Sequence, residues 1–319
     1  MTSRFLGLVA AVSGLMVAAT ASGRPDPAPE KKTFRAADGV TVVGDVRGQG
    51  ETTIVFLHGW CGDRAYWKHQ VDEFAKGYRV VAIDQAGHGE SGKDRRAWSA
   101  EGLAGDVEAV VKALDAKRVI LVGHSMGGPV SLLAAKRMPG TVVAVVGVDT
   151  LQNAEFKMPA EVVNKLVGDF EKDFKGTMRA GFVTGLLPEN ADRDLKNWLT
   201  TRAEAQDQKM AVALIHDLLT FDTAKALKEA RTPVRCINSG GGFMYFQLGR
   251  GQQEILNRRG INSGGGFMYF QPTAADVNKK YADYKVVTVD AVGHYPMLEK
   301  PAEFNKALRG VLEEFARKP

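Results

Sequence analysis

Two hydrophobic periods alternate along residues 40–148, and few folds accept that pattern. Thr52–Leu57, Tyr78–Asp84, Arg118–Val122 and Val142–Val148 are short, nearly continuous apolar runs. Between them, Tyr66–Phe74, Leu103–Leu114 and Gly127–Met138 space their apolar residues as helices do; in the second, Leu103, Val107, Val110, Val111 and Leu114 form one stripe. A strand that is apolar throughout must be covered on both faces, and interleaved helices supply the cover. The pattern predicts an α/β fold with a mainly parallel central sheet flanked by helices. Val40–Val46 adds a strand before this series; Pro233–Ile237 and Lys285–Asp290 resume it, and a helix from Ala302 to about Phe315 closes the chain.

The period changes over residues 153–230. Leu166, Phe170 and Phe174 recur every fourth residue, and Val212, Ile215, Leu218 and Leu219 make a second helical stripe. We read 153–230 as a helical cap inserted after the sixth strand, between core segments 32–152 and 231–319. Core helices are the plainer alternative, but the stretch is longer than a single crossover needs. An eleven-residue segment, INSGGGFMYFQ, occurs at Ile237–Gln247 and again at Ile261–Gln271. Two copies do not make a solenoid. The first follows a good strand; the second follows Asn257-Arg258-Arg259-Gly260, a poor one. Residues 248–271 are therefore expected to be a loop insertion.

Arg4, the apolar run Phe5–Ala19 and the small residues of Ala19-Thr20-Ala21 have the layout of a secretory signal peptide over residues 1–21. Gly7, Ser13 and Gly14 interrupt the run, which falls short of the roughly 20 apolar residues needed to span a bilayer. The expectation is a secreted or periplasmic protein with no stable membrane anchor in its mature form, and a flexible leader over 22–31. Its two cysteines, Cys61 and Cys236, fall on different strands and are expected to be free, buried thiols. The net charge of +5 comes with no long basic run, which argues for a solvated surface and against a nucleic-acid partner.

Gly123-His124-Ser125-Met126-Gly127 sits between a strand and a helix. A turn this tight needs glycine on both sides, and it lifts the serine hydroxyl above the sheet edge. Ser125 is the candidate nucleophile, with the Met126 N–H at a helix start as an oxyanion donor. Trp60, in His58-Gly59-Trp60 after another strand, offers the second N–H. His58 itself is read as a hydrogen-bonded loop residue. A hydroxyl needs a base, and there are six histidines. His294 directly follows the last strand, at the edge where ligands bind in such sheets. His69, His88 and His216 read as surface or packing residues, and His124 as pointing away from Ser125. No His/Cys/Asp cluster has ligand spacing, so neither metal nor cofactor is expected.

In order, His58-Gly59, Asp84-x-x-Gly87-x-Gly89-x-Ser91, Gly123-x-Ser125-x-Gly127 and Gly293-His294 resemble the α/β-hydrolase superfamily from roughly Thr33 onward. The resemblance implies the α/β-hydrolase fold and acyl-transfer hydrolysis through a Ser-His-acid triad, with Asp84 in a turn-forming role. The chain departs from the family at the acid. Many members carry an Asp after the penultimate strand, where this chain reads Asn238-Ser239-Gly240-Gly241-Gly242. Others place it one strand earlier, where Asp149 stands. Asp149 is favoured, with Asp290 as rival and Glu299 as a helix-start residue. The expected function is a serine hydrolase acting on a small to medium carboxylic ester or lactone. C–C bond hydrolysis and cofactor-free perhydrolysis use the same triad and are alternatives. A ligand-binding protein without turnover, on a hydrolase scaffold, is the alternative from another class. Ser125 argues against a nucleophilic Asp.

Overall fold

The computed structural model describes residues 29–179, 183–240 and 274–316. The apolar runs form strands: β1 (Glu30–Arg35), β2 (Thr41–Arg47), β3 (Thr52–Leu57), β4 (Arg79–Asp84), β5 (Arg118–His124), β6 (Val142–Val148), β7 (Val234–Ser239) and β8 (Tyr284–Val289). They build one sheet in the order β1-β2-β4-β3-β5-β6-β7-β8. β2 runs antiparallel to both neighbours, and every pairing from β4 through β3 to β8 is parallel.

Successive strand residues face opposite sides, so the sheet separates two cores. In β3, Val55 and Leu57 join one core while Ile54 and Phe56 join the other; β5 divides Val119 and Leu121 from Ile120 and Val122 in the same way. Helices α2 (Ala100–Ala113) and α3 (Gly127–Arg137) cover the first face, and α1 (Lys68–Phe74) lies on the second. Ser99 caps α2 by accepting the Gly102 N–H at 3.1 Å.

β6 leads into α4 (Ala160–Lys172), α5 (Phe174–Thr177), α6 (Arg193–Glu204), α7 (Gln208–Leu219) and α8 (Thr223–Ala230) before β7. Leu166, Phe170 and Phe174 are buried, as their spacing predicts. The expected end of the cap at residue 230 is too late. Ala226, Leu227 and Ala230 of α8 pack with Val130 and Ala134 of α3, so α8 covers the sheet as the crossover into β7. Its alternating small and charged residues match either setting, which hid the boundary. The chain ends through α9 (Ala275–Asn278), α10 (Pro296–Glu299) and α11 (Pro301–Glu313), the last packed on the α1 side.

The start of the core also differs from expectation. β1 begins at Glu30, inside the stretch that composition marks as a leader. Its charged residues point to solvent from an edge strand, and pairing from Glu30↔Val46 to Arg35↔Thr41 orders the backbone. The expected signal peptide over 1–21 and the expected loop insertion over 248–271 lie outside the described residues. β7 runs three residues into the first repeat copy, to Ser239. Cys61 and Cys236 are free and buried. Among the described residues, no helix is long and apolar enough to cross a membrane.

Candidate active site

At the C-terminal edge of the sheet, β5 turns into α3 through Ser125, whose φ of 51° is left-handed. The turn closes only because its flanks lack side chains: a Cβ on Gly123 would lie 2.1 Å from the Gly127 carbonyl oxygen, and one on Gly127 2.6 Å from the Leu57 oxygen. The Ser125 N–H donates to the Val148 carbonyl at 3.0 Å, and the Ser125 carbonyl accepts from Gly128 N–H at 2.9 Å. Seven described non-glycine residues have positive φ, and five of them, Cys61, Ser125, Asp149, Leu151 and Ala291, sit in loops at this edge. Such backbone costs roughly 1–3 kcal/mol per residue and persists where surrounding contacts hold it.

Ser125, Asp149, His294 and Trp60 line one cavity of about 480 Å³. Asp149 and His294 are nearly inaccessible to solvent, and the His294 Nδ1–H donates to Asp149 Oδ2 at 2.7 Å. That bond leaves Nε2 as the unprotonated nitrogen. Asp149 Oδ1 accepts the N–H of Ser239 at 2.9 Å and its hydroxyl at 2.8 Å. The last residue of β7 thus supplies both of these donors to the acid, next to where the resemblance puts the acid itself in many members. Asp290 is exposed one residue beyond β8 and makes no such approach: the strand alternation turns it outward, and its carbonyl accepts from Lys300 Nζ at 3.1 Å.

Glu299 is a clamp on the loop that carries His294. Its two oxygens accept the N–H groups of Gly293 at 2.8 Å and Tyr295 at 2.9 Å. Burial pushes its carboxyl up, against the lowering effect of those donors. The His294 N–H donates to the Leu186 carbonyl of the cap at 2.8 Å. Trp60 meets the cap too: its indole N–H donates to the Ala211 carbonyl at 2.8 Å, and its ring lies 5.1 Å from that of Phe170. Met126 is buried at the start of α3, its N–H next in the chain after Ser125.

Asp84 is structural, as expected: Arg64 salt-bridges it, and Glu90 N–H donates to it at 2.9 Å. His58 is held in one tautomer. Its Nδ1–H donates to the Gly59 carbonyl at 2.8 Å, and its Nε2 accepts the Gln85 N–H at 3.0 Å. His124 departs from expectation. Its Nε2–H donates to the His294 carbonyl at 2.8 Å, and it lines the same cavity as Ser125. The motif that singled out Ser125 carried no signal for this contact.

A family model described as the alpha/beta hydrolase family matches residues 54–307. The chain belongs to that family. It is an enzyme of the hydrolase class. It is 27% identical over 279 residues to a dihydrolipoyllysine-residue acetyltransferase component of an acetoin cleaving system from Cupriavidus necator, covering 86% of this chain and 67% of that protein. It is 41% identical over 98 residues to epoxide hydrolase B of Mycobacterium tuberculosis, covering 30% of this chain but only 28% of that relative's length. Among solved structures, an esterase from Exiguobacterium antarcticum superposes with a TM-score of 0.72 at 17% identity, covering 89% of this chain and 100% of that one. Est816, described as an N-acyl homoserine lactone degrading enzyme, gives 0.67 at 23% identity, covering 88% and 99%. These two likenesses are of fold.

Proposed function

We propose that this hydrolase is a serine enzyme that cleaves small to medium, largely uncharged carboxylic esters or lactones through an acyl-enzyme. One observation carries the reading: a buried carboxylate, itself fixed by two donors, holds the Nδ1–H of a buried imidazole at 2.7 Å in the wall of the cavity that Ser125 lines. In this reading His294 Nε2 takes the Ser125 proton as the oxygen attacks the ester carbonyl. Asp149 keeps the tautomer and stabilises the imidazolium. The Trp60 and Met126 N–H groups stabilise the oxyanion. His294 then protonates the leaving alcohol, which for a lactone stays attached to the acyl chain. A water, deprotonated by the same base, releases the acid and restores Ser125.

The walls favour an apolar substrate. Phe156, Met158, Met178, Val183 and Leu218 line the cavity, whose volume lies within the roughly 300–1,000 Å³ typical of small-molecule sites. The esterase and the N-acyl homoserine lactone degrading enzyme among the structural neighbours agree with this class. The test is a panel of p-nitrophenyl esters of increasing acyl length, with lactones, on wild type and Ser125→Ala side by side. Wild-type turnover that Ser125→Ala lowers on the order of 10⁴-fold is expected. Wild-type turnover of none of these esters and lactones would overturn the proposed substrate class.

Export belongs to the same proposal, on the strength of Arg4, the apolar run Phe5–Ala19 and the small residues at Ala19 and Ala21. Expressed with its own leader in a Gram-negative host, the protein should reach the periplasm cleaved near Ala21. Mass spectrometry of the exported fraction decides, and an intact Met1 would count against it.

A further inference from the structure

We infer that His124 is a positioning residue: an uncharged imidazole that ties the element bearing Ser125 to the backbone of His294. The inference rests on the serine-hydrolase reading and adds a residue to it. His124 is the last residue of β5 and directly precedes Ser125. It is 1% exposed. A carbonyl oxygen can only accept, so the 2.8 Å contact with the His294 oxygen puts a proton on His124 Nε2.

The other ring nitrogen settles the charge. His124 Nδ1 is buried and has no hydrogen-bond partner. A Cβ on Gly59 would lie 2.7 Å from it, so the Gly59 backbone stands against that side of the ring. A proton on Nδ1 would be a buried cationic donor with nothing to receive it, which is costly. Burial, with His294 and His58 nearby, holds the imidazole well below the usual histidine range. Besides His58, the titratable rings around it include His294 at 4.7 Å, Tyr295 at 5.2 Å and Tyr66 at 6.1 Å between centroids. With Nε2 engaged and Nδ1 walled off, His124 has no free nitrogen with which to relay a proton.

What it can do is hold. His294 is fixed by Asp149 at Nδ1, by Leu186 at its N–H, by Glu299 through both neighbouring residues, and by His124 at its carbonyl. Of these, only His124 belongs to the turn that presents Ser125. The same ring packs on Gly59, beside Trp60. One side chain therefore sets the register between nucleophile loop, base loop and oxyanion loop. It also accounts for glycine at position 59, where any Cβ would displace the ring.

The test compares His124→Phe, which keeps an aromatic ring and loses the donor, with His124→Gln, whose amide reaches the Nε2 position. The readouts are kcat and KM on one ester, the pH profile of kcat/KM, and the low-field proton resonance of the His294 Nδ1–H bonded to Asp149. Expected for His124→Phe is a fall in kcat of about 10- to 100-fold with KM little changed, since a misplacement of about 1 Å can cost that much. Its low-field resonance should weaken and its pH profile shift, and His124→Gln should recover most of all three. Wild-type kcat, profile and resonance in His124→Phe would overturn the inference. If His124→Phe does not fold by circular dichroism, His124→Asn, whose shorter amide reaches the Nδ1 position, replaces it. Equal activity and resonance in the Asn and Gln variants would then overturn it. Absence of ester turnover in wild type would sink the serine-hydrolase reading, while the resonance, which needs no substrate, still decides the role of His124 in holding His294.

Discussion

The C-terminal edge of the sheet and the cap above it enclose one cavity, but they are built differently. At the edge, each reacting group is fixed several times over. Asp149 receives three donors, the His294 loop is held by Glu299, His124 and Leu186, and five left-handed non-glycine residues are kept in place by their surroundings. The cap offers mostly apolar wall, such as Met158, Val163, Met178 and Leu218. Its hydrogen bonds to the machinery include those of two backbone carbonyls, Leu186 and Ala211, and Phe170 packs its ring against Trp60. A carbonyl contact survives most side-chain substitutions; a carboxylate–imidazole pair does not. Changes at the edge should therefore act on kcat, and changes in the cap on which substrate is taken.

The largest contrast lies between two aspartates. Asp149→Asn should lower turnover roughly 10⁴-fold, the size seen when a triad loses the group that holds its imidazole tautomer. Asp290→Asn, at an exposed carboxylate, should leave it near wild type. Rates for both on one ester, with folding checked by circular dichroism, would break the comparison if the two variants were equally impaired.

A cap substitution should do something different in kind. Leu218 lines the cavity from α7 and is only partly buried. Leu218→Ala should shift the preference towards longer acyl chains by roughly 10-fold in relative kcat/KM, the scale set by a methylene or two in an apolar pocket. The kcat for the best substrate should hold. A uniform loss across all chain lengths would mean that the cap acts on the chemistry itself.

Acid should find the edge before the cap. His58, His88 and His124 lie after β3, after β4 and at the end of β5, all buried, and burial lowers each of them; His88 is pushed down to about 3. In the unfolded chain such groups bind protons below about pH 6.5 that the folded protein refuses. Stability is then fully present above that pH and falls as pH drops towards 3. A urea midpoint that declines steadily from pH 7 to pH 4 is expected, and a flat midpoint would mean that these rings accept protons without loss of structure.

How far the sequence could be read follows from the range of the interactions. Strands β3 to β6 announced themselves through unbroken apolar runs, and the elbow through glycines two residues either side of Ser125; both are local signals. The sheet order then brought the loop after β6 to His294. The start of β1 was obscured because an edge strand made of Glu30, Lys31 and Lys32 has the composition of a leader. The role of α8 was obscured because a short helix of small residues suits a cap or a crossover equally. The contacts made by Ser239, Glu299 and His124 left no pattern in the sequence. Ser239 meets Asp149 across 90 residues and His124 meets His294 across 170, and only the closed sheet makes them neighbours.

The central claim is that Ser125 is the nucleophile of this edge. A fluorophosphonate probe, followed by peptide mapping, tests it most directly, because the reagent bonds covalently to an activated serine and needs no knowledge of the substrate. The account predicts labelling confined to the peptide containing Ser125, lost in Ser125→Ala and strongly slowed in Asp149→Asn. Labelling that persists in Ser125→Ala, or maps to another residue, would contradict it.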